Sequence, residues 1–402
     1  MRLGIHTGYW SAGPPDGIQD AVVAADRLGV DSVWTAEAYG SDAFTPLAWW
    51  GSRTTRIRLG TAVAQVSART PTATAMAALT MDHLSGGRFV LGLGVSGPQV
   101  VEGWYGQPYA KPLARTREYV QVVRDVLRRE APVTSSGPHY PLPLPDGVGT
   151  GLGKPLRSTV HPLRADLPIH LAAEGPKNIA LAAEIADGWL PLFYSPRMDA
   201  TFRELLADGF ARRSPERSPE SAFEVSATVP VVVREHVEQA ADQVRPFLAL
   251  YVGGMGAKGA NFHRDALDRL GYAEACDEIQ AHYLAGRKDL AAAAVPTAMV
   301  EDVALVGPPE KIASDLAAWR ETAVTTLLVQ GEATAVQTLA PLLAAPPPGC
   351  PARRRAVSRR RGGTTPPGAG PRDARRATAG SPRRGAPRAP RRGAARAATP
   401  PR

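Results

Sequence analysis

The sequence is poor in the residues that build covalent staples and metal centres. Its 402 residues include two cysteines, Cys276 and Cys350. That is too few for a disulfide framework, and it points to a reducing compartment and a cytoplasmic protein. The eight histidines show no H-E-x-x-H and no Cys/His ligand spacing, so no metal site is expected. No G-x-S-x-G occurs, which leaves serine-hydrolase chemistry without support. No apolar run approaches the ~20 residues of a membrane helix. Met1 leads directly into the strand-like RLGIHTGYW, without a charged and then apolar leader, so neither a membrane span nor a signal peptide is expected. No short-period repeat is present.

Aromatic residues are missing altogether from one region. Residues 346–402 contain no Phe, Trp or Tyr, and Arg, Pro, Ala and Gly make up 48 of these 57 positions. Such a segment cannot bury enough apolar surface to offset chain entropy, and it reads as a disordered basic tail. It carries 16 Arg against a single acid, Asp373, a net +15; the whole chain is +9, which leaves −6 on residues 1–345. The basic character belongs to the tail, and the body is mildly acidic. Phosphate contacts from the tail would allow nucleic-acid binding, although no aromatic is interleaved for base stacking. A solvated extension without function is the plainer reading. The same composition also results when GC-rich DNA is read in a shifted frame.

Residues 1–345 alternate short apolar runs with helical patterns. Eight runs read as strands: Leu3–Gly8, Ser32–Thr35, Ile57–Val63, Phe89–Val95, Ile169–Ala173, Gly188–Phe193, Glu224–Val233 and Thr325–Gln330. Several are continuously apolar, as strands covered on both faces should be. DGIQDAVVAADRLGV places Ile18, Val22 and Ala25 on one helical face, with Gly29 as a stop. TPTATAMAALTMDHLSGG has Thr70 as N-cap, Pro71 at N1 and Gly86 near the C-cap. Eight β/α alternations favour an α/β fold of the (β/α)8 TIM-barrel type, with an open doubly wound sheet as the competitor. Two long insertions, about Ala131–Leu167 after the fourth strand and about Arg234–Leu305 after the seventh, are placed to wall the C-terminal mouth.

The stretch FVLGLGVSGPQ holds Gly92, Gly94 and Gly97 in GxGxxG spacing. A dinucleotide fingerprint should open a helix directly and belong to the first βαβ unit. Here Pro98 follows, QVVEGWYGQPY breaks the pattern, the next helix is expected near Pro112, and the strand is the fourth. The glycines instead suit a barrel strand and exit loop that approach a flat ligand closely.

SVWTAEAYGSDAFTPLAWWGSRTTRIRLGTAV, LTMDHLSGGRFVLGLGVSG and HLAAEGPKNIALAAEIADGWLP, in this order and spacing, resemble the bacterial-luciferase-like superfamily, and within it the branch that uses the 5-deazaflavin coenzyme F420. The resemblance covers nearly all of residues 1–345 and none of the tail. It implies a TIM barrel with a deazaflavin, or alternatively FMN, across the C-terminal mouth, and a homodimer. It also implies a non-proline cis peptide in a bulge at Ala62–Val63, behind the central cofactor ring; an ordinary trans strand end is the alternative. In sugar-oxidising relatives the second strand ends in an acid followed by His. Here Glu37 keeps the acid and Ala38 replaces the histidine. The catalytic acid those relatives carry after the fourth strand is matched by Gly97, which argues against a sugar-phosphate substrate.

The candidate catalytic residues are Glu37 and His6, each also readable as a residue held in a structural hydrogen bond. Candidate cofactor contacts are Ala62, Val63, Ser96, Gly97, Ala173, Glu174, Gly175, Pro176, Lys177 and Ser195. AAEGPKN places Gly175 and Pro176 at a helix start, where free N–H groups suit a phosphate and Lys177 adds charge. Glu174 would repel that phosphate, so its side chain is expected to point away. YSPR offers a second phosphate contact at Ser195. Trp104, Tyr105 and Tyr109 are candidate aromatic walls, or core. The resulting expectation is a hydride-transferring F420-dependent oxidoreductase acting on a small organic substrate. An FMN-dependent monooxygenase, a non-catalytic cofactor carrier and nucleic-acid binding through the tail are the alternatives.

Overall fold

The computed structural model describes residues 1–256, 259 and 261–344. Among these residues ten strands are formed: β1 (Arg2–His6), β2 (Ser32–Thr35), β3 (Arg58–Thr61), β4 (Ala64–Gln65), β5 (Phe89–Gly94), β6 (Ile169–Ala172), β7 (Gly188–Leu190), β8 (Glu224–Val233), β9 (Leu305–Gly307) and β10 (Thr326–Gln330). Eight of them form a ring of parallel neighbours, β1-β2-β3-β5-β6-β7-β8-β10, which closes through Thr326↔Ser226 on one side and Arg2↔Thr326 on the other. An open sheet has no such closing pair, so the fold is the TIM barrel. These eight coincide with the eight sequence-predicted strands, several of them shortened at the C-terminal end. The predicted Ile57–Val63 strand stops at Thr61, and β4 resumes after a break, pairing with β5 through Ala64↔Leu93.

Among the described residues there are fourteen α-helices: α1 (Ile18–Leu28), α2 (Thr45–Gly51), α3 (Pro71–Ser85), α4 (Pro98–Gly103), α5 (Pro112–Arg128), α6 (Pro176–Ile185), α7 (Asp199–Phe210), α8 (Val237–Gly253), α9 (Phe262–Arg269), α10 (Ala273–Leu284), α11 (Lys288–Ala293), α12 (Thr297–Val303), α13 (Pro309–Arg320) and α14 (Ala333–Ala344). Local chemistry sets their ends. In α3 the Thr70 hydroxyl accepts from Ala73 N at 3.3 Å, Pro71 stands at N1, and Gly86 closes the helix in the left-handed region at φ 65°. Gly29 does the same for α1 at φ 79°, and the apolar face of that helix puts Val22 and Ala25 in the core.

Most of the core lies between the outer faces of the strands and this helical layer, from Leu3 and Val33 through Leu91 and Ile169 to Leu327. A smaller cluster, Trp34, Val90, Leu190 and Leu328, fills the barrel interior. At the N-terminal end of the strands Arg58 bridges Asp31 at 2.6 Å and Glu224 at 3.1 Å, and Arg2 reaches Glu224 at 2.8 Å. Four strands are tied at the base while their C-terminal ends stay open.

The two insertions behave differently. The first follows α5, so it starts from the end of a helix, on the face opposite the mouth. It folds back over α3 and α5: Arg164 pairs with Asp82 and donates to Phe89 O at 2.7 Å, Arg129 donates to Ser158 O at 2.7 Å, and His83 Nε2 meets His161 O at 2.8 Å. None of its residues lines the cavity at the mouth. This corrects the expectation of two loops walling that face. The second insertion does reach it. β8 runs past the barrel and pairs there with β9, a strand not anticipated from sequence, through Val231↔Leu305 to Val233↔Gly307. Helices α8 to α12 pack around their own apolar cluster, which includes Leu248, Val252, Ile279, Met299 and the buried Cys276. The tail and Cys350 lie outside the described residues. Among the described residues no helix is long and apolar enough to cross a membrane, and no group of His, Cys, Asp and Glu is placed to hold a metal.

Candidate active site

The C-terminal strand ends open on a cavity of about 360 Å³ with a mostly apolar lining. It receives residues from the ends of β1, β2, β3, β5, β6 and β7, from Thr228 and Gln330, and from the second insertion. The glycine question is settled here. Gly92 does not line the cavity. A Cβ there would lie 1.7 Å from Thr61 O, and the residue is locked to its neighbour by Gly92 N→Thr61 Oγ1 at 2.9 Å and Thr61 Oγ1→Gly92 O at 2.7 Å. Its missing side chain serves strand contact inside the barrel wall. Gly94 does line the cavity, and a Cβ on it would lie 2.5 Å from Val63 Cγ2, so it makes room for the bulge between β3 and β4. Contrary to the sequence reading, a helix follows Gly97 directly: α4, only six residues long. The closed barrel and the position of the strand exclude a dinucleotide fingerprint regardless. Ser96, just before it, holds φ 58°, a conformation unusual for a side-chain-bearing residue and one that clusters at ligand sites.

The Ala62–Val63 peptide is cis, at the position that the family resemblance marked, and both residues face the cavity. His6 holds the bulge. Its Nδ1 accepts from Gly8 N at 3.2 Å, so the other nitrogen carries the proton and donates to Ala62 O at 3.1 Å. One face of the ring opens on the cavity while the rest is enclosed, and that burial pushes the imidazole below its ordinary value, only partly opposed by the bond to Ala62. His6 is therefore a neutral ring with both nitrogens engaged by backbone.

Glu37 also lines the cavity, with 7% of its surface exposed. Its Oε1 accepts from Arg69 Nη2 at 2.7 Å; its Oε2 accepts from Arg69 Nη1 at 2.8 Å and from Gln65 N at 2.9 Å. Arg69, its guanidinium over the Phe44 ring, is driven above its ordinary value by the bond to Glu37. The Gln65 side-chain amide donates to Glu37 O at 2.8 Å, while Gln65 Oε1, buried on the cavity wall, has no protein partner.

At the end of β6, Ala173, Glu174 and Gly175 line the cavity, whereas Pro176 and Lys177 are exposed outside it; Asn178, not singled out from sequence, takes their place. Gly175 stands at the N-cap of α6 in extended conformation. Asn178 N and Ile179 N bond to Gly175 O at 3.0 Å each, which leaves the Lys177 N–H without a helical partner. Glu174 points toward the cavity, against expectation, because His263 Nδ1 meets its Oε1 at 2.8 Å. Ser195 is fully buried away from the cavity. Its hydroxyl caps a short turn by accepting from Arg197 N at 3.3 Å. Of the three aromatic candidates, Tyr109 lines the cavity, Tyr105 donates to Ala38 O at 3.0 Å from outside it, and Trp104 is 63% exposed. Tyr251, Met255, Phe262 and His263 of the second insertion were not identified beforehand. Nothing in their local pattern distinguishes them from packing residues.

A closed βα barrel with a cavity of this lining at its C-terminal mouth defines a TIM-barrel enzyme. The chain belongs to the luciferase-like monooxygenase family, whose profile matches residues 2–326. It is 57% identical over 344 residues, 85% of this chain and 99% of the other, to a Mycobacterium tuberculosis protein named as a coenzyme F420-dependent oxidoreductase. It is 30% identical over 234 residues, 58% of this chain and 65% of the other, to a 5,10-methylenetetrahydromethanopterin reductase of Archaeoglobus fulgidus. Among solved structures, the F420-dependent tetrahydromethanopterin reductase of Methanopyrus kandleri superposes with a TM-score of 0.70 at 21% identity, over 84% of this chain and 97% of that one.

Proposed function

We propose that this chain is a coenzyme F420-dependent oxidoreductase that moves a hydride between the deazaflavin and an organic substrate in the mouth cavity. The supporting observation is the cavity wall itself. It combines a small-residue surface (Ala62, Val63, Gly94, Ala172, Ala173) with an unpaired buried acceptor beside it, Gln65 Oε1. A planar tricycle with an N–H edge suits both features. The 57% identical relative named for this cofactor supports the same reading.

Residues that would hold the group are those of the bulge, Gln65, Ser96 and Gly97 around its rings, and Gly175, the Lys177 N–H and Asn178 toward its phosphate. When bound, a reduced deazaflavin supplies a hydride, and its ring reacts poorly with oxygen. The protein's own part is orientation and exclusion of water. His6 fixes the bulge through Ala62 O, and the Glu37–Arg69 pair fixes Gln65. Glu37 then acts as a positioning residue, since both of its oxygens are occupied.

Titrating the full chain with F420 and, separately, with FMN by fluorescence quenching tests this. Tighter binding of F420 by tenfold or more is expected. A preference for FMN would instead favour the oxygen-using branch of the family, and binding of neither would sink the proposal.

A further inference from the structure

Moving a hydride to or from an organic oxygen also requires moving a proton, and the cavity wall offers few groups able to do so. His6 has both ring nitrogens bonded to backbone, and Glu37 has both oxygens bonded to Arg69. Tyr9, Tyr109 and Tyr251 are all raised by burial, which makes their hydroxyls poorer acids. One pair remains among the described lining residues. His263, 12% exposed at its side chain, meets Glu174, 10% exposed, at 2.8 Å through Nδ1. With the carboxylate accepting, Nδ1 carries the proton, and Nε2 is left with no protein hydrogen bond. Glu174 Oε2 is buried and also unpartnered.

The surroundings fix this ring. Asn261 caps α9 by accepting from His263 N at 3.1 Å and Arg264 N at 3.2 Å, and its amide donates to Tyr251 O and Val252 O at 2.8 Å each. This ties the first turn of α9 to the end of α8. Tyr251 and Phe193 stand edge-on to the imidazole, with ring centroids 4.8 and 6.0 Å away. The titratable groups facing it are Glu174 from the end of β6, Tyr251 from α8 and, across the cavity, Tyr9. Arg269 of its own helix donates to the Glu174 carbonyl at 2.8 Å and not to the carboxylate.

We infer that His263 is the catalytic acid–base that exchanges a proton with a carbonyl oxygen in this cavity, and that Glu174 is its positioning residue. The inference rests on the F420 reading above. In reduction, the carbonyl carbon receives the hydride supplied by reduced deazaflavin. The C=O π bond breaks, its electron pair moves onto oxygen, and the oxygen takes the proton from Nε2–H of the doubly protonated ring. Neutral His263, its Nδ1–H on Glu174, regains a proton from solvent. Alcohol oxidation is the reverse, with Nε2 taking the hydroxyl proton as oxidised deazaflavin accepts the hydride. One acid–base group matches one proton per hydride.

The test uses the full chain, reduced F420 and a panel of cyclohexanone, acetophenone and 2-heptanone, following return of the oxidised deazaflavin absorbance. Expected are turnover with at least one ketone, a loss of roughly 10²–10⁴-fold in kcat for both His263→Gln and His263→Phe, and F420 binding within about threefold of the parent chain. For Glu174→Gln, which alters the acceptor that orients the imidazole, kcat should fall at least fivefold with KM for the ketone within about twofold of the parent chain, and Glu174→Asp should restore part of kcat. The ring ¹⁵N resonances of His263 should shift when F420 binds. Undiminished turnover in both His263 variants, or an unchanged kcat in Glu174→Gln, overturns the inference. F420 binding with no turnover of any ketone overturns it too and leaves the F420 reading standing. Failure to bind F420 removes that reading, and the inference with it.

Discussion

At the scale of single residues, the barrel tunes His170, His6 and Asp187 by burial and pairing. His170 is 1% exposed inside the barrel wall, stacked on Trp34 with centroids 5.6 Å apart, and burial pushes its imidazole down to about 4. The folded protein therefore binds fewer protons there than the unfolded chain, whose histidine stays near its ordinary value of 6.5. Stability contributed by the neutral ring is present above pH 6.5 and lost as pH falls toward 4, by about 3 kcal/mol in all. His6 is lowered too and adds in the same direction. Asp187, which burial alone would raise, is held below its usual value by Arg124, so its loss comes at lower pH and separates from this window. Urea unfolding between pH 7 and 4.5 should show the decline, and His170→Phe should flatten it. Glu37→Gln removes the counter-charge of the partly exposed Arg69 while keeping one acceptor, and should cost about 1–3 kcal/mol in the same unfolding assay. A loss below 0.5 kcal/mol would mean that the pair does not hold the wall.

At the scale of elements, the site depends on how β3 and β5 meet. Their contact admits no side chain at Gly92, so Gly92→Ala should destabilise by roughly 3 kcal/mol or prevent folding, measured as soluble yield and unfolding midpoint. Gly94→Ala intrudes on Val63 at the cavity wall instead, so its larger effect should fall on F420 affinity. The start of α6 makes a further separable contribution. Asn178→Ala removes one polar contact of about 1 kcal/mol, so F420 binding should weaken roughly fivefold with the unfolding midpoint unchanged. The caps of α1 and α3 were legible because capping is local: Thr70, Pro71 and Gly86 lie within one helix of each other. The helix α4 was missed because Pro98 and two nearby glycines look like a broken segment when packing is ignored, yet Val101 is buried beneath it and holds the turn.

At the scale of the whole molecule, charge separates the chain into a body of −6 and a segment 346–402 of +15. Every residue proposed for the site belongs to the body. A chain truncated after Cys350 should bind F420 within twofold of the full chain by fluorescence titration. It should also lose any retention on a polyanionic column that the full chain shows at low salt. A tenfold change in F420 affinity would instead tie the basic segment to the site.

Patterns of short range were sufficient to settle much of this protein. Apolar runs alternating with helical faces located eight barrel strands; strand ends pointed to His6, Glu37, Ala173, Glu174 and Gly175, and the family resemblance to Ala62 and Val63, and these residues share one cavity with Ser96 and Gly97. Only the tertiary structure decided which partner each of them meets. Arg69 lies 32 residues from Glu37 and His263 lies 89 residues from Glu174. No periodicity or spacing encodes such pairs, because they depend on barrel closure and on how the second insertion returns over the mouth. The same holds for the first insertion. Its sequence marks it as a long loop, but only its departure from the end of α5 places it on the outer wall rather than over the site.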